Sequence, residues 1–334
     1  MVLQHNQLFQ NPIPVLELQH RIPSLLLENY TALMNAPSFI PCASTIKHTR
    51  ELTWINWKER LVAERLTRKA ATVLEGLEQT GGHWEETFWR LLARNFGIKV
   101  NADAFEELAR SLPVNLLARQ RASIHQLEAL LLGQANLLPE PADDYTILLL
   151  REYNFLKQKY ELSPINTPMH FLRMRPGNFP TVRLAQLAML IHTTTHLFSD
   201  LLEEQDAEKA KAKLQVTAND YWHYHYRPGQ LSPYKPKKLG EDMAENIIIN
   251  TLVPVLFAYG TYHHLEAYKE KAVHWLQQTA AESNTVSKGF KTLSVSSKSA
   301  FDTQALLELK HGYCDAKRCL DCAVGNFLLK GFAS

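Results

Sequence analysis

The chain has 334 residues, 46% hydrophobic and 21% charged, enough length and apolar content to bury a core without covalent staples and too ordinary a mixture for wholesale disorder. Lys and Arg total 36 against 34 Asp and Glu, a formal charge of +2, far from the excess of a dedicated nucleic-acid binder, so any phosphate contact has to come from a local patch. No basic n-region followed by a long apolar run opens the chain, and no run approaches the roughly 18 apolar residues of a membrane span. The nearest, "NIIINTLVPVLFAYG", is interrupted by Asn250 and Pro254. The expectation is a soluble, cytoplasmic protein with no membrane partner.

In chain order, "IPVLELQHRIP" is apolar, and Pro12, Pro14 and Pro23 forbid a long helix, so it reads as an extended arm. Ser24 to Asn35 has helical spacing with Ser24 as N-cap. A loop, "APSFIPCAS", then carries Cys42. Residues 1–48 are therefore expected to form the arm and first helix, ahead of a single large helical domain over 49–334.

From Thr49 the 3.6-residue period dominates. Leu52, Ile55, Leu61, Leu66, Val73 and Leu77 share one face of a long helix that stops at Gly81-Gly82. Trp84, Phe88, Leu91 and Leu92 form the next stripe, ending at Gly97. Further helices follow, with Asn101, Ser123 and the Asp143-Asp144 pair as expected N-caps. After "ELSPINTPMHFLRMRPGNFPTVR", a long irregular connection, helices resume through "TVRLAQLAMLIHTTTHLFSDLLE", "ANDYWHYH", "EDMAENIIINTLVPVLFAYG" and "LEAYKEKAVHWLQQ" to "KRCLDCAVGNFLLKG". No fixed-period repeat is present, which excludes a solenoid. The fold class is mainly α: a multi-helix globular bundle with a short extended N-terminal arm.

Three of the four cysteines fall in "YCDAKRCLDC". Cys314, Cys319 and Cys322 are spaced C-x4-C-x2-C, and the C-x2-C half brings two sulfurs within reach of one ion, as in zinc and iron–sulfur sites. Lys317, Arg318 and a helix start near Cys319 would lower thiol pKa values. A fourth ligand has two candidates. His311 would make a self-contained Cys3His site, whereas Cys42 would clasp the N-terminal part of the chain to its C-terminal part. The competing bland reading is three buried thiols acting as small hydrophobes.

A second cluster, "RMRPGNFPTVR", sets Arg173, Arg175, Asn178 and Arg183 around a helix start at Pro180. Guanidinium groups beside helix-terminal amides suit a phosphate or carboxylate, with acid-paired arginines bracing a loop as the alternative. Weaker signals have bland explanations. "HTTTH" offers His192 and His196 at i, i+4 without a catalytic glutamate, "YWHYHYR" reads as core packing, and the lysines of "PYKPKKLG" read as a solvated run. Glu85, Glu86, Asp103 and Glu106 read as helix-start charges. No nucleophile, paired-carboxylate motif or glycine-rich phosphate loop is present, so no catalytic residue is assigned.

The runs "HWEETFWRLLARNFGIKVNADAFEELARSLP", "RMRPGNFPTVRLAQLA" and "YCDAKRCLDCAVGNFL" resemble an uncharacterised bacterial family, domain of unknown function 2851, over nearly the whole chain. That family's pattern has a cysteine in a short "IPC" element, matched here by Pro41-Cys42, which implies Cys42 as the fourth ligand. The resemblance also implies an N-terminal region, rich in acidic and histidine motifs, ahead of the segment matching "MVLQHNQ". One distant cysteine with a C-terminal triplet is similar to iron–sulfur nucleases, where a cluster pins the chain ends around a nuclease core. With the nuclease-like part outside this chain, no catalytic activity is expected of it alone. Two functions stand: a helical module with a zinc or iron–sulfur site that binds nucleic acid for a nuclease-like protein, or a zinc-stapled scaffold for a protein partner.

Overall fold

The computed structural model describes residues 21–138 and 143–330. The arm expected at the N-terminus lies, up to residue 20, outside the described residues. The chain is mainly α-helical; among the described residues its one sheet is a hairpin of His225–Arg227 and Gln230–Leu231, antiparallel with His225 opposite Leu231.

The described residues fall into two compact units. The first takes in 21–61, 284–296 and 306–330, and the second 62–283 and 297–305. Contacts thus gather described segments from before residue 62 and after residue 283 into one unit.

In the first unit, the helix Ser24–Asn35 forms where its period places it, with Pro23 rather than Ser24 at the cap. A helix over Thr285–Thr292 opens with a capping box in which Asn284 accepts from Ser287 N at 2.9 Å. Its Gly289 lies against the Cζ end of the Phe39 ring, and Phe39 meets Phe290 edge-on at 5.5 Å. The helix that ends in "LKHGYC" widens into a π stretch over Leu309–Cys314. Only Ala323–Leu329 is helical after it, because Cys322 is the N-cap, its Sγ accepting from Gly325 N at 3.5 Å.

The long helix Glu51–Gln79 stops where two glycines take up φ +66° and +84° at Gly81 and Gly82. Leu61, Leu66, Val73 and Leu77 of its stripe are buried, while Leu52 and Ile55 in the first turns are exposed.

The second unit is built around Pro180–Thr193, buried on every side from Pro180 through Ala188. The helices Trp84–Phe96 and Ile98–Ser111 pack on each other, as do Ile124–Gln134 and Asp144–Lys159. The caps at Ser123 and Asp143 form as read, Asp143 within a capping box. Asn101 does not cap. It sits at a kink inside Ile98–Ser111, with its side chain turned to the backbone of His170, whose carbonyl accepts from Nδ2 at 2.9 Å and whose N–H donates to Oδ1 at 2.7 Å. Glu107, farther along the same helix, takes the Asn166 and Thr167 amides at 2.9 and 3.1 Å. The long irregular connection is therefore tied at two points rather than left loose.

Three other expectations change. "ANDYWHYH" is a 3-10 turn, Asp220–Tyr224, leading into the hairpin rather than an α-helix. His196 starts a new helix while His192 ends the previous one, so the two do not share a helix face. Pro254 does not break its segment. The chain runs helically over Glu241–Tyr262, and the turn before the proline opens into a π stretch, Ile248–Leu252, which relieves the clash of a proline ring with the carbonyl four residues earlier. That helix is long and apolar enough to cross a membrane, but most of it is buried in the unit's core.

Candidate functional site

Two places in the chain gather chemistry. The first is in the unit of residues 21–61, 284–296 and 306–330. Cys42 sits in the turn after Pro41, with its carbonyl accepting from Ile46 N at 2.9 Å. It lines one small cavity of about 10 Å³ together with Cys314, Cys319 and Cys322. Tyr313, Leu309, Val324 and Gly325 complete the apolar walls. Gly325 has no side chain for a steric reason: a Cβ there would fall 2.2 Å from the carbonyl oxygen of Cys319. This close approach brings the Cys322 helix start against the Cys319 turn.

The electrostatics differ from the sequence expectation of activated thiols. Burial pushes the Cys42 thiol up to about 12, reinforced by Cys322 and Cys319. Cys314 is raised by burial and then by the other three sulfurs. Cys319 and Cys322 are raised too, again by burial first. Lys317 pulls Cys319 down only partly, its ammonium donating to Met34 O. Arg318 is engaged by Asp321 at 3.0 Å and lies over the Tyr313 ring at 4.8 Å. Desolvation outweighs the nearby lysines, so each of the four thiols holds its proton more tightly than an ordinary cysteine. His311 is exposed, faces Asp315 at 3.1 Å and does not line the cavity. None of the four cysteines is in a disulfide, and among the described residues no three His, Cys, Asp or Glu side chains are placed as a ready metal cage.

The second place is a cleft of about 1110 Å³ in the other unit. It brings together Arg175, Asn178 and Arg183 from the arginine segment, but not Arg173, which is exposed elsewhere with φ +60°. Lys235 and Lys238 of "PYKPKKLG" line the same cleft, as do Arg94 and Lys99. The cleft therefore has six basic lining residues against one acid, Asp242. Arg94 is neutralised by Asp103 at 2.7 Å and Glu106 at 2.5 Å. Arg175, Lys235 and Lys238 are exposed and form no ion pair with any described residue.

Arg183 is 7% exposed. Its Nη1 donates to Gln186 Oε1 at 3.0 Å and Nη2 to Asn178 Oδ1 at 2.6 Å, while Nε has no partner among the described residues. Both acceptors are neutral amides, and burial lowers its pKa to about 10. Gln186 is itself fixed, its Nε2 donating to the carbonyls of Lys237 and Lys238 at 3.2 and 3.0 Å. Acid pairing, the alternative reading of these arginines, is thus absent at Arg175 and Arg183 among the described residues.

In sequence the lysine run carries no signal beyond its charge and reads as solvated; Lys237 within it is buried, its Nζ donating to His223 O at 3.2 Å. The histidine pair forms no site, and His192 Nδ1 meets Arg121 O at 2.7 Å. The aromatic run is packing: Tyr221 stacks on Tyr145 at 4.2 Å and on His225 at 4.0 Å.

No curated protein and no solved structure matches the chain. A family pattern matches residues 2–285, which include Cys42 and the arginine segment and stop ahead of Cys314. The resemblance noted over nearly the whole chain is thus matched short of the cysteine triplet. Covering far more than half of the sequence, this match makes the chain a member of the family described as Protein of unknown function (DUF2851).

Proposed function

We propose that the chain is a helical module with a cysteine-ligated metal centre, zinc or iron–sulfur, that binds nucleic acid on behalf of a nuclease-like protein and has no catalytic activity of its own. The observation that carries it is the meeting of Cys42 with Cys314, Cys319 and Cys322 around one buried cavity. Four sulfur donors are a set that zinc and iron select, and each thiol would release its proton on binding. Metal at these residues would staple the Cys42 turn to the C-terminal segment. The exposure of His311 and its engagement by Asp315 favour Cys42 as the fourth ligand. The basic cleft supports the nucleic-acid half of the reading.

Metal analysis after anaerobic purification tests the first half. The expected result is close to one centre per chain, lost in Cys42→Ala and kept in His311→Ala. A folded wild-type preparation free of both zinc and iron overturns it. Anisotropy titrations with single- and double-stranded DNA and RNA test the second half, and binding to none of them would sink it.

A further inference from the structure

Arg183 presents an unusual situation. A guanidinium offers five N–H donors in a fixed fork, and here two of them are used, on the neutral oxygens of Gln186 and Asn178. A buried cation without an anion carries a desolvation cost that neutral acceptors only partly offset. The surroundings hold that cation in place rather than relieve it. Gln186 cannot turn away without giving up the Lys237 and Lys238 carbonyls. Asn178 lies in the short 3-10 turn Pro176–Asn178, where its own N–H donates to Arg175 O at 2.8 Å.

Around this anchor stand Arg175, Lys235 and Lys238, exposed cations with no described ion-pair partner, and Lys99 is a fourth in the same lining. Asp242 is the one acid in the lining. The chain as a whole is nearly balanced, 36 bases to 34 acids, so this concentration of one sign is local. A cleft of about 1110 Å³ exceeds what a lone phosphate needs and lies just above the roughly 300–1,000 Å³ usual for whole small ligands. Guanidinium forks and mobile ammonium groups together match phosphate oxygens along a backbone.

We propose that this cleft is the nucleic-acid site of the chain, gripping the phosphates of a single strand, with Arg183 as the buried anchor and Arg175, Lys235 and Lys238 as the surface contacts. The proposal rests on the nucleic-acid reading above and names where it happens. Neutralising three phosphate contacts on a single strand would give a slope of log affinity against log salt of about −2, at roughly −0.7 per contact. Arg183 would add to that slope and supply the directional part of the grip.

The test is fluorescence anisotropy of a labelled single-stranded oligonucleotide, titrated with the full chain at several salt concentrations. The variants are Arg183→Lys and the triple exchange Arg175→Ala, Lys235→Ala, Lys238→Ala. All three residues of the triple variant are exposed, so it keeps the fold, which circular dichroism verifies. The proposal expects the triple variant to lose at least tenfold in affinity with a flatter salt slope, and Arg183→Lys, if folded, to lose at least tenfold with the slope kept. Undiminished binding by the triple variant overturns the assignment to this cleft and leaves nucleic-acid binding itself standing. Absence of salt-dependent binding by the wild-type chain overturns both. Inorganic phosphate and a mononucleotide serve as competitors at the same salt. If either competes as well per phosphate as the unlabelled strand, the ligand is a small phosphate compound and the strand assignment falls.

Discussion

The indole Nε1 of Trp222 donates to Glu128 Oε2 at 2.9 Å across 94 positions of sequence, inside the core of the second unit. Tyr145 Oη donates to the same oxygen at 2.7 Å, and Oε1 has no partner among the described residues. The carboxyl is fully buried, and that burial pushes its pKa from 4.5 up to about 7 despite the two donors. A neutral acid suits the place better than a carboxylate.

This raised value makes stability fall as pH rises. Between 4.5 and about 7 the folded state holds a proton that the unfolded state has released, so the contribution is fully present below the lower value and lost above the higher one. The size is ~3 kcal/mol. Glu128→Gln keeps an acceptor for Trp222 and Tyr145 and has nothing to ionise. Urea midpoints from pH 4.5 to 8 should drop for the wild type and stay flatter for the variant. Equal slopes would show that Glu128 is not responsible.

Asn101→Ala should free one end of the connection that bears Arg175. The side chain makes both bonds to the His170 backbone, and because His170 is exposed and can be resolvated, the cost is about 1–2 kcal/mol. Hydrogen exchange of the His170 amide should quicken roughly tenfold or more, while that of Thr167, held by Glu107 at 3.1 Å, stays protected. Parallel loss of protection at both amides would mean that the connection unfolds as one piece.

Gly133 of the helix Ile124–Gln134 lies against the ring of Tyr153 on the helix Asp144–Lys159. A Cβ there would lie 2.3 Å from Tyr153 Cγ, inside the ring rather than at a movable tip. Gly133→Ala is expected to destabilise by at least about 1–3 kcal/mol, the usual cost of overpacking, despite alanine's better helix propensity. Adding Tyr153→Leu should recover part of the loss of melting temperature. A double variant no more stable than Gly133→Ala would place the cost outside this contact.

At the thiol cavity, Gly325→Ala puts a methyl group against the Cys319 carbonyl, 2.2 Å away. Backbone cannot swing aside as a side chain can, so the Cys319–Cys322 turn must move. Under the proposed metal centre, zinc plus iron per chain, measured by mass spectrometry, should fall below half of wild type. Leu320→Ala, at an exposed position of the same segment, should keep it. Full metal in Gly325→Ala would show that the turn does not set the ligands.

The caps at Ser123 and Asp143, the stop at Gly81-Gly82 and the apolar stripes of the long helices depend on residues within a turn or two of each other, and these the amino-acid sequence determined by itself, along with the mainly α class. What a residue does for a distant neighbour was left to the tertiary structure. Asn101 has the composition of a cap but spends its amide on His170, and Pro254 reads as a breaker until a π turn makes room for it. Glu128 looks like one more helix-surface acid, and only packing beneath Trp222 and Tyr145 makes it a buried one. Motif spacing picked out Cys314, Cys319 and Cys322, while their company with Cys42 in one cavity depends on segments far apart in sequence entering the same unit. Likewise Arg175 and Arg183 are legible as a basic segment, but Lys235 and Lys238 join them through the Gln186 side chain and the folded path of the backbone. Local preferences act over a few residues, whereas burial and electrostatic partnership are properties of the three-dimensional neighbourhood, which no window of sequence contains.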